Sequence, residues 1–299
     1  MNSRAQIRML ADGRRLHMHD GPIDLVVEAF GDAREIDAAY CAAATRFVTV
    51  LDELCSELLF LRQPAEPNGP FPAGPIARRM VAAVRPYASR TFITPMAAVA
   101  GAVAEEILET MTTAAELSRA YVNDGGDIAL HLSPGEKFVV GMVDRPDRPS
   151  LFGTTTIDVS HSVRGIATSG WRGRSFSLGI ADAVTVLADT ATMADAAATI
   201  IANTVDLPGH PSIKRVRACE LSPDSDLGER LVTQAVGELR HDEIHGALSA
   251  AVRLAESLRI AKLIRAVALN LRGETRIVGG EYSSLSSNES STERNLVHA

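Results

Sequence analysis

Apolar and polar positions alternate along residues 6–30, with turn signals at Asp12-Gly13 and Asp20-Gly21-Pro22. That period of two predicts a short meander of strands. After Asp32 the period lengthens. Ile36, Tyr40, Phe47, Val48, Leu51, Leu54, Leu58 and Leu59 fall at helical spacing, predicting a long helix to about Arg62. Residues 62–75 are a Pro/Gly-rich loop, read either as a lid or as a solvated connection. Residues 76–84 read as a second, shorter helix. Thr94-Pro95 then carries a start signal, with Thr as N-cap and Pro at the first helical position of a helix rich in small residues.

The second half returns to strands. Residues 128–132, 138–143 and 154–159 read as successive strands, with 144–150 as an exposed loop. Residues 165–203 read as strand, Gly-rich turn, strand and helix, the apolar strand being 183–187. Residues 226–239 and 243–258 are helical by period, and 263–271 with 275–278 form a closing hairpin around Arg272-Gly273-Glu274. From Glu281 the tail is polar and Ser-rich, and reads as disordered. The expected organisation is one domain, residues 1–280, followed by that tail. Strands, then helices, then strands again argue for an α+β fold with antiparallel sheet.

The chain has 299 residues, 46% hydrophobic and 22% charged, with a formal net charge of −7. The acidic balance argues against a nucleic-acid surface. No signal-peptide pattern and no membrane-spanning apolar run is seen, so the expected location is cytoplasmic, with no membrane partner. Cys41, Cys55 and Cys219 give no disulfide framework. Cys41 and Cys55 share one predicted helix face and read as buried core thiols. His17 and His19 share a strand face, read as solvated rather than metal-binding. His241 and His245 resemble a zinc-protease spacing, but Asp242 and Gly246 break it, so a helix junction is the better reading.

Candidate chemistry concentrates in residues 165–203. Thr168, Ser169 and Gly170 with Arg172 and Arg174 form a donor-rich, positive turn suited to a phosphate. Trp171 either stacks on a ligand ring or fills a core or rim position. Asp195 and Thr199 lie four apart, on one face of a helix beginning near Thr192, and suit Mg²⁺. A competing reading makes Thr192 and Asp195 a capping box, in which the carboxylate only satisfies backbone donors. Gly125-Gly126 supplies either a plain hairpin turn or a close approach to a ligand. No GxGxxG, Walker loop or G-x-S-x-G elbow is present.

Four segments, PMAAVAGAVAE, VNDGGDI, GIATSG and AVTVLADTATMADAAAT, occur in an order that resembles the FAD:protein FMN transferase (ApbE-like) superfamily. DLGERLVT and the closing hairpin look more like an uncharacterised cytoplasmic branch than like the transferases themselves. The resemblance implies duplicated T-fold-like antiparallel sheets packed with helices. It implies Asp195 and Thr199 as Mg²⁺ ligands, with the carbonyl near Val99 as a third. It places Asn123, Gly125 and Gly126 along a flavin nucleotide (FAD or FMN), with Thr168, Ser169 and Gly170 beside it. Two departures weigh against FMN transfer onto protein. Ala100 stands where the transferases carry Lys, and their His-containing loop ending in D-P-x-T-G is missing between the S-G turn and the V-T-V strand.

The expected ligand is therefore a small nucleotide-like molecule bearing a pyrophosphate, with phosphoryl or nucleotidyl transfer as the chemistry. A different enzyme on the same scaffold, such as one for one-carbon coenzyme (methanopterin or methylofuran) biosynthesis, is the second expectation. A non-catalytic binding or assembly protein is the third. Homo-oligomerisation is left open.

Overall fold

The computed structural model describes residues 4–143, 151–279, 283–284 and 296–298. The loop expected at 144–150, and the expected disorder of the tail apart from two short strands, lie outside the described residues.

Nine strands form one antiparallel sheet. In chain order they are β1 (Gln6–Met9), β2 (Leu16–Asp20), β3 (Ile23–Phe30), β4 (Arg119–Asp124), β5 (Asp127–Leu132), β8 (Gly165–Ser169), β9 (Ala183–Ala188), β12 (Ala266–Leu271) and β13 (Glu274–Val278). They lie side by side in that same order. The helices between them are α1 (Ala33–Ser56), α2 (Leu58–Leu61), α3 (Pro75–Val84), α4 (Val99–Ala114), α5 (Ala191–Thr204), α6 (Ala218–Leu221) and α7 (His241–Ile260).

Grouped by sequence, β2-β3, α1, α4, β4-β5 and then β8-β9, α5, α7, β12-β13 are two strand–strand–helix–helix–strand–strand units. Each contributes four strands, and the units meet where β5 pairs with β8, at Ile128↔Ile166 and Ala129↔Gly165. The α+β antiparallel expectation, including its duplication, therefore holds.

Period two sorts the side chains between the faces. Leu16, Met18, Leu25, Val27, Ala120, Val122, Ala129, Ala167, Val184, Val186, Val267 and Leu269 face the helices and form the main core. On the opposite face Tyr121, Ile128, Leu130, Leu132, Ile166, Leu187 and Ala266 form a second core. That core is closed by the hairpin of β6 (Lys137–Val143) and β7 (Leu151–Asp158), through Phe138, Val140 and Ile157. The hairpin falls between the two units in sequence. The short strands β14 (Ser283–Ser284) and β15 (Leu296–His298) border it, β14 on β7 and β15 on β6.

Several sequence expectations need correction. Residues 231–236 are a strand, β11 (Leu231–Val236), where a helix is expected. They pair with β10 (Ile213–Arg217), and this partner overrides the helical period. Cys41 and Cys55 are exposed. They do share a face, but α1 buries Ala39, Ala43, Phe47, Val50 and Leu54 and turns the thiol face to solvent. Thr94 occupies the N-cap of a 3₁₀ turn, Pro95–Ala98, with Pro95 at its first position, and α4 follows; the Thr94 hydroxyl donates to Asp226 instead of capping the turn.

The loop at 62–75 is a pinned connection. Glu57 accepts the backbone N–H groups of Ala73 (2.8 Å) and Gly74 (2.7 Å). The guanidinium of Arg85 lies 3.9 Å from the Phe71 ring centroid, with Arg78 at 5.3 Å.

Candidate functional site

The β4–β5 turn is the two-residue hairpin Gly125-Gly126, with φ of +64° and +115°. Left-handed backbone at both positions is what a tight hairpin of this twist demands, and glycine adopts it without strain. The Asn123 side chain secures the turn by accepting the Gly126 N–H at 2.8 Å. Because Asp124 and Asp127 are register partners, both carboxylates lie on the helix face of the sheet.

Beneath that turn the start of α4 meets the first turns of α5. Asp195 Oδ2 accepts the Gly101 N–H at 3.0 Å. In the opposite sense, Glu105 Oε1 accepts the Thr192 N–H at 2.7 Å. Each helix thus supplies a carboxylate to the other's unsatisfied N-terminal amides. The helices can approach this closely because position 101 is glycine. A Cβ there would collide with the Ala191 carbonyl group and lie 2.8 Å from the Thr192 nitrogen. The N-cap of α5 is Thr190, whose hydroxyl accepts the Met193 N–H at 3.2 Å. The Thr192/Asp195 capping box therefore does not form. Asp195 does serve backbone donors, but those of the neighbouring helix.

The three aspartates are clustered, and the charge of Asp195 acts on the other two. Burial pushes the Asp124 carboxyl up to about 7, reinforced by the charge of Asp195 and opposed by the nearby Arg174. Asp195 is likewise pushed up to about 7 by burial, with the Gly101 and Ala100 N–H groups pulling the other way. Burial and the charges of Asp195 and Asp124 hold Asp127 well above the ordinary carboxylate range, although it accepts the Thr168 N–H at 3.2 Å. Arg174 reaches over from the loop after β8. Its Nη1 lies 3.5 Å from where a Gly125 Cβ would be, and its Nη2 is 3.5 Å from the Pro22 carbonyl oxygen.

The structure divides the residues singled out from sequence. Asp195 and Arg174 lie beside the Gly125-Gly126 turn. Thr199 stands one turn after Asp195 on the same face of α5, Ser169 ends β8 on the helix side of the sheet, and Val99 opens α4 two residues before Gly101. Asn123 and Thr168 flank the turn, but their side chains belong to the opposite face. The Thr168 hydroxyl is 2.9 Å from that of Thr185. Trp171 and Arg172 are tied to the buried carboxylate of Asp182, through Nε1 at 3.2 Å and Nε at 2.6 Å. The Arg172 guanidinium lies 4.3 Å from the Trp171 ring centroid. Asp182 also accepts the Arg272 N–H at 2.6 Å, which fastens this loop to the β12–β13 turn. Gly170 follows Ser169 against Asp182, where a Cβ would lie 2.6 Å from its carbonyl oxygen.

Asp124, Asp127, Glu105 and Asp182 were not assigned from sequence. For the first two a signal existed. An acid on each side of a Gly-Gly turn puts two carboxylates on one face of a hairpin.

Among the described residues, no group of three His, Cys, Asp or Glu converges tightly enough to hold a metal ion by itself. The donor set is nevertheless hard oxygen: carboxylates, the Thr199 hydroxyl and backbone carbonyls. Mg²⁺ characteristically takes one or two carboxylates and completes its shell with water and phosphate oxygens. The residues present fit that mode.

Fold and site together define a two-unit antiparallel α+β protein with a cluster of buried aspartates at the seam between its halves. The chain belongs to the family described as AbpE bacteria, whose model matches residues 7–277. It is 37% identical over 150 residues to the UPF0280 protein MK0206 of Methanopyrus kandleri, covering 50% of this chain and 56% of that protein. It is 32% identical over 184 residues to a UPF0280 protein of Methanosarcina acetivorans, covering 61% and 70% respectively. The chain spans about half the length of the first curated relatives it matches. Among solved structures it is similar to the apo form of the flavinyl transferase ApbE of Pseudomonas stutzeri. There the identity is 11%, the TM-score 0.44, and the coverage 92% of this chain and 93% of that one. No helix among the described residues is long and apolar enough to cross a membrane.

Proposed function

We propose that the seam between the two units binds a flavin or related pyrophosphate-bearing ligand together with Mg²⁺. The observation that carries this reading is the group of three buried aspartates around a Gly-Gly turn, each raised by burial and Asp124 and Asp127 further by the charge of Asp195, with Arg174 beside them. Uncompensated carboxylates in such surroundings are costly, and a divalent cation relieves the cost. Asp195 and Thr199 would hold the cation, with the Val99 carbonyl as a further donor.

Arg174 would meet the phosphates, and the Gly125-Gly126 backbone would allow them close. Arg172 is the weaker phosphate contact, because its Nε is already engaged by Asp182. Bound there, Mg²⁺ supplies charge neutralisation and polarisation of a phosphoryl group toward displacement. The four segments that resemble the FAD:protein FMN transferase superfamily favour FAD or FMN as the first ligands to try.

A second reading rests on a specific observation. The Asp195–Gly101 hydrogen bond makes the carboxylate a structural cap, as a non-catalytic binding protein requires. Asp195→Asn separates the two, since the amide oxygen still accepts the N–H while the charge is gone. Titration of FAD, FMN and ADP with and without Mg²⁺ tests the proposal. Mg²⁺-dependent binding should weaken at least about tenfold in Asp195→Asn, equivalent to roughly 1.4 kcal/mol. An unchanged affinity would leave only the structural role.

A further inference from the structure

Glu105 closes the first of the four resembling segments but has no part in the ligand set above, yet it is tied into the same junction. It comes from α4 of the first unit and binds the Thr192 N–H of α5 in the second, three residues before Asp195. Asp195 returns the contact by binding Gly101, four residues before Glu105. The two bonds form a closed, reciprocal pair that fixes both the spacing and the axial register of the helices. Position 101 enforces the same contact sterically. Arg79, from α3, approaches Glu105 Oε2 at 3.5 Å and leaves Oε1 for the Thr192 amide.

Helix pairs elsewhere in the fold are joined mainly by apolar packing and by ion pairs at their rims. Here the join is polar, and it lies where the two halves of the molecule meet. Sliding α5 by even part of a turn would withdraw Asp195 from both Gly101 and the β4–β5 turn.

We infer that Glu105 is a positioning residue, holding α5 in the register that places the Asp195 carboxylate under the Gly125-Gly126 turn. Its consequence for ligand binding rests on the function proposed above; its effect on Asp195 does not. Glu105 acts through Thr192 and touches no ligand itself.

The test compares Glu105→Ala with Glu105→Gln, whose side-chain oxygen can still accept the Thr192 N–H. Amide hydrogen exchange of Gly101 is the first readout, because Glu105 makes no bond to that amide and reaches it only through α5 and Asp195. Glu105→Ala should speed Gly101 exchange about tenfold relative to amides in β3 and β4, and Glu105→Gln should restore the wild-type rate. Uniform acceleration at all amides, or no change at Gly101, overturns the inference.

Mn²⁺ binding in the presence of ADP is the second readout. Glu105→Ala should weaken it about tenfold and Glu105→Gln should not, as expected for a coupling of allosteric size. Wild-type protein that binds neither Mn²⁺ nor ADP would defeat the proposed function, and the exchange data would then decide the role of Glu105. Binding by wild type with equal affinity in Glu105→Ala would overturn the positioning role alone.

Discussion

Asp195 is asked to do two things that pull its proton in opposite directions. Burial favours the neutral form, while the α4 amides favour the charged one. For Asp124 and Asp195 the folded-state values of about 7 exceed the ordinary 3.8. Their contribution to stability is therefore fully present below 3.8 and is lost as pH rises through about 7.

Thermal unfolding in EDTA should accordingly show a melting temperature that falls between pH 5 and pH 8. The slope should flatten in Asp124→Asn, and a slope unaltered by that substitution would show that the aspartates are not its source. Removing the side chain is a different experiment from removing its charge. Asp195→Ala leaves buried amides unpaired and should lower stability by about 1–3 kcal/mol. Asp195→Asn at pH 8 should be at least as stable as wild type, and denaturant titration distinguishes the two variants.

At the scale of elements, the α4–α5 contact depends on the absence of one methyl group. Gly101→Ala should cost about 1–3 kcal/mol by overpacking against Ala191 and Thr192, far more than a helix-favouring substitution would return. On the other side of the sheet, Phe138 packs edge-on against both Phe30 and Tyr121, with ring centroids 6.4 and 6.1 Å away. Phe138→Ala should loosen the β6–β7 hairpin and cost about 3–5 kcal/mol in equilibrium unfolding.

Elements with a strong local period were legible in the sequence. The opening meander, α1, α3, α5 and the closing hairpin follow from it directly. Those that depend on a distant partner were not. β11 reads as helix until β10 is there to pair with it, and the Thr94 hydroxyl reads as a capping group because its actual partner, Asp226, is remote in sequence. The same limit applies to the site. Asp195 and Thr199 share one helix and reveal each other by spacing. Glu105 and Asp182 act on segments far along the chain, and no local pattern connects them to their targets.

For the whole molecule, the order of the strands carries the lesson. Each unit places its helices on the same face, so joining the units edge to edge brings the last hairpin of the first against the first strand of the second. The aspartate cluster sits at that join and draws on both halves, Asp124 and Asp127 from the first and Asp195 from the second. The four segments that carry the family resemblance come from both units. They become a single feature only when the sheet is continuous. Arg174→Ala bears on this directly, since Arg174 belongs to the second unit and reaches Gly125 and Pro22 of the first. It should weaken Mg²⁺-dependent ADP binding about tenfold without lowering the melting temperature. Isothermal titration beside a thermal melt checks both halves of that expectation.

The join itself is narrow. β5 and β8 share two register pairs, whereas β4 and β5 share six, and the chain between them is long enough to form a hairpin of its own. A molecule assembled in this way carries a route to domain swapping, in which the first unit of one chain closes against the second unit of another and rebuilds the same seam twice. Refolding at high concentration should trap such dimers, which size-exclusion chromatography would resolve, and slow dilution should return them to monomer. Their ligand-binding capacity per chain should match that of the monomer, because every contact of the seam is preserved in the exchange.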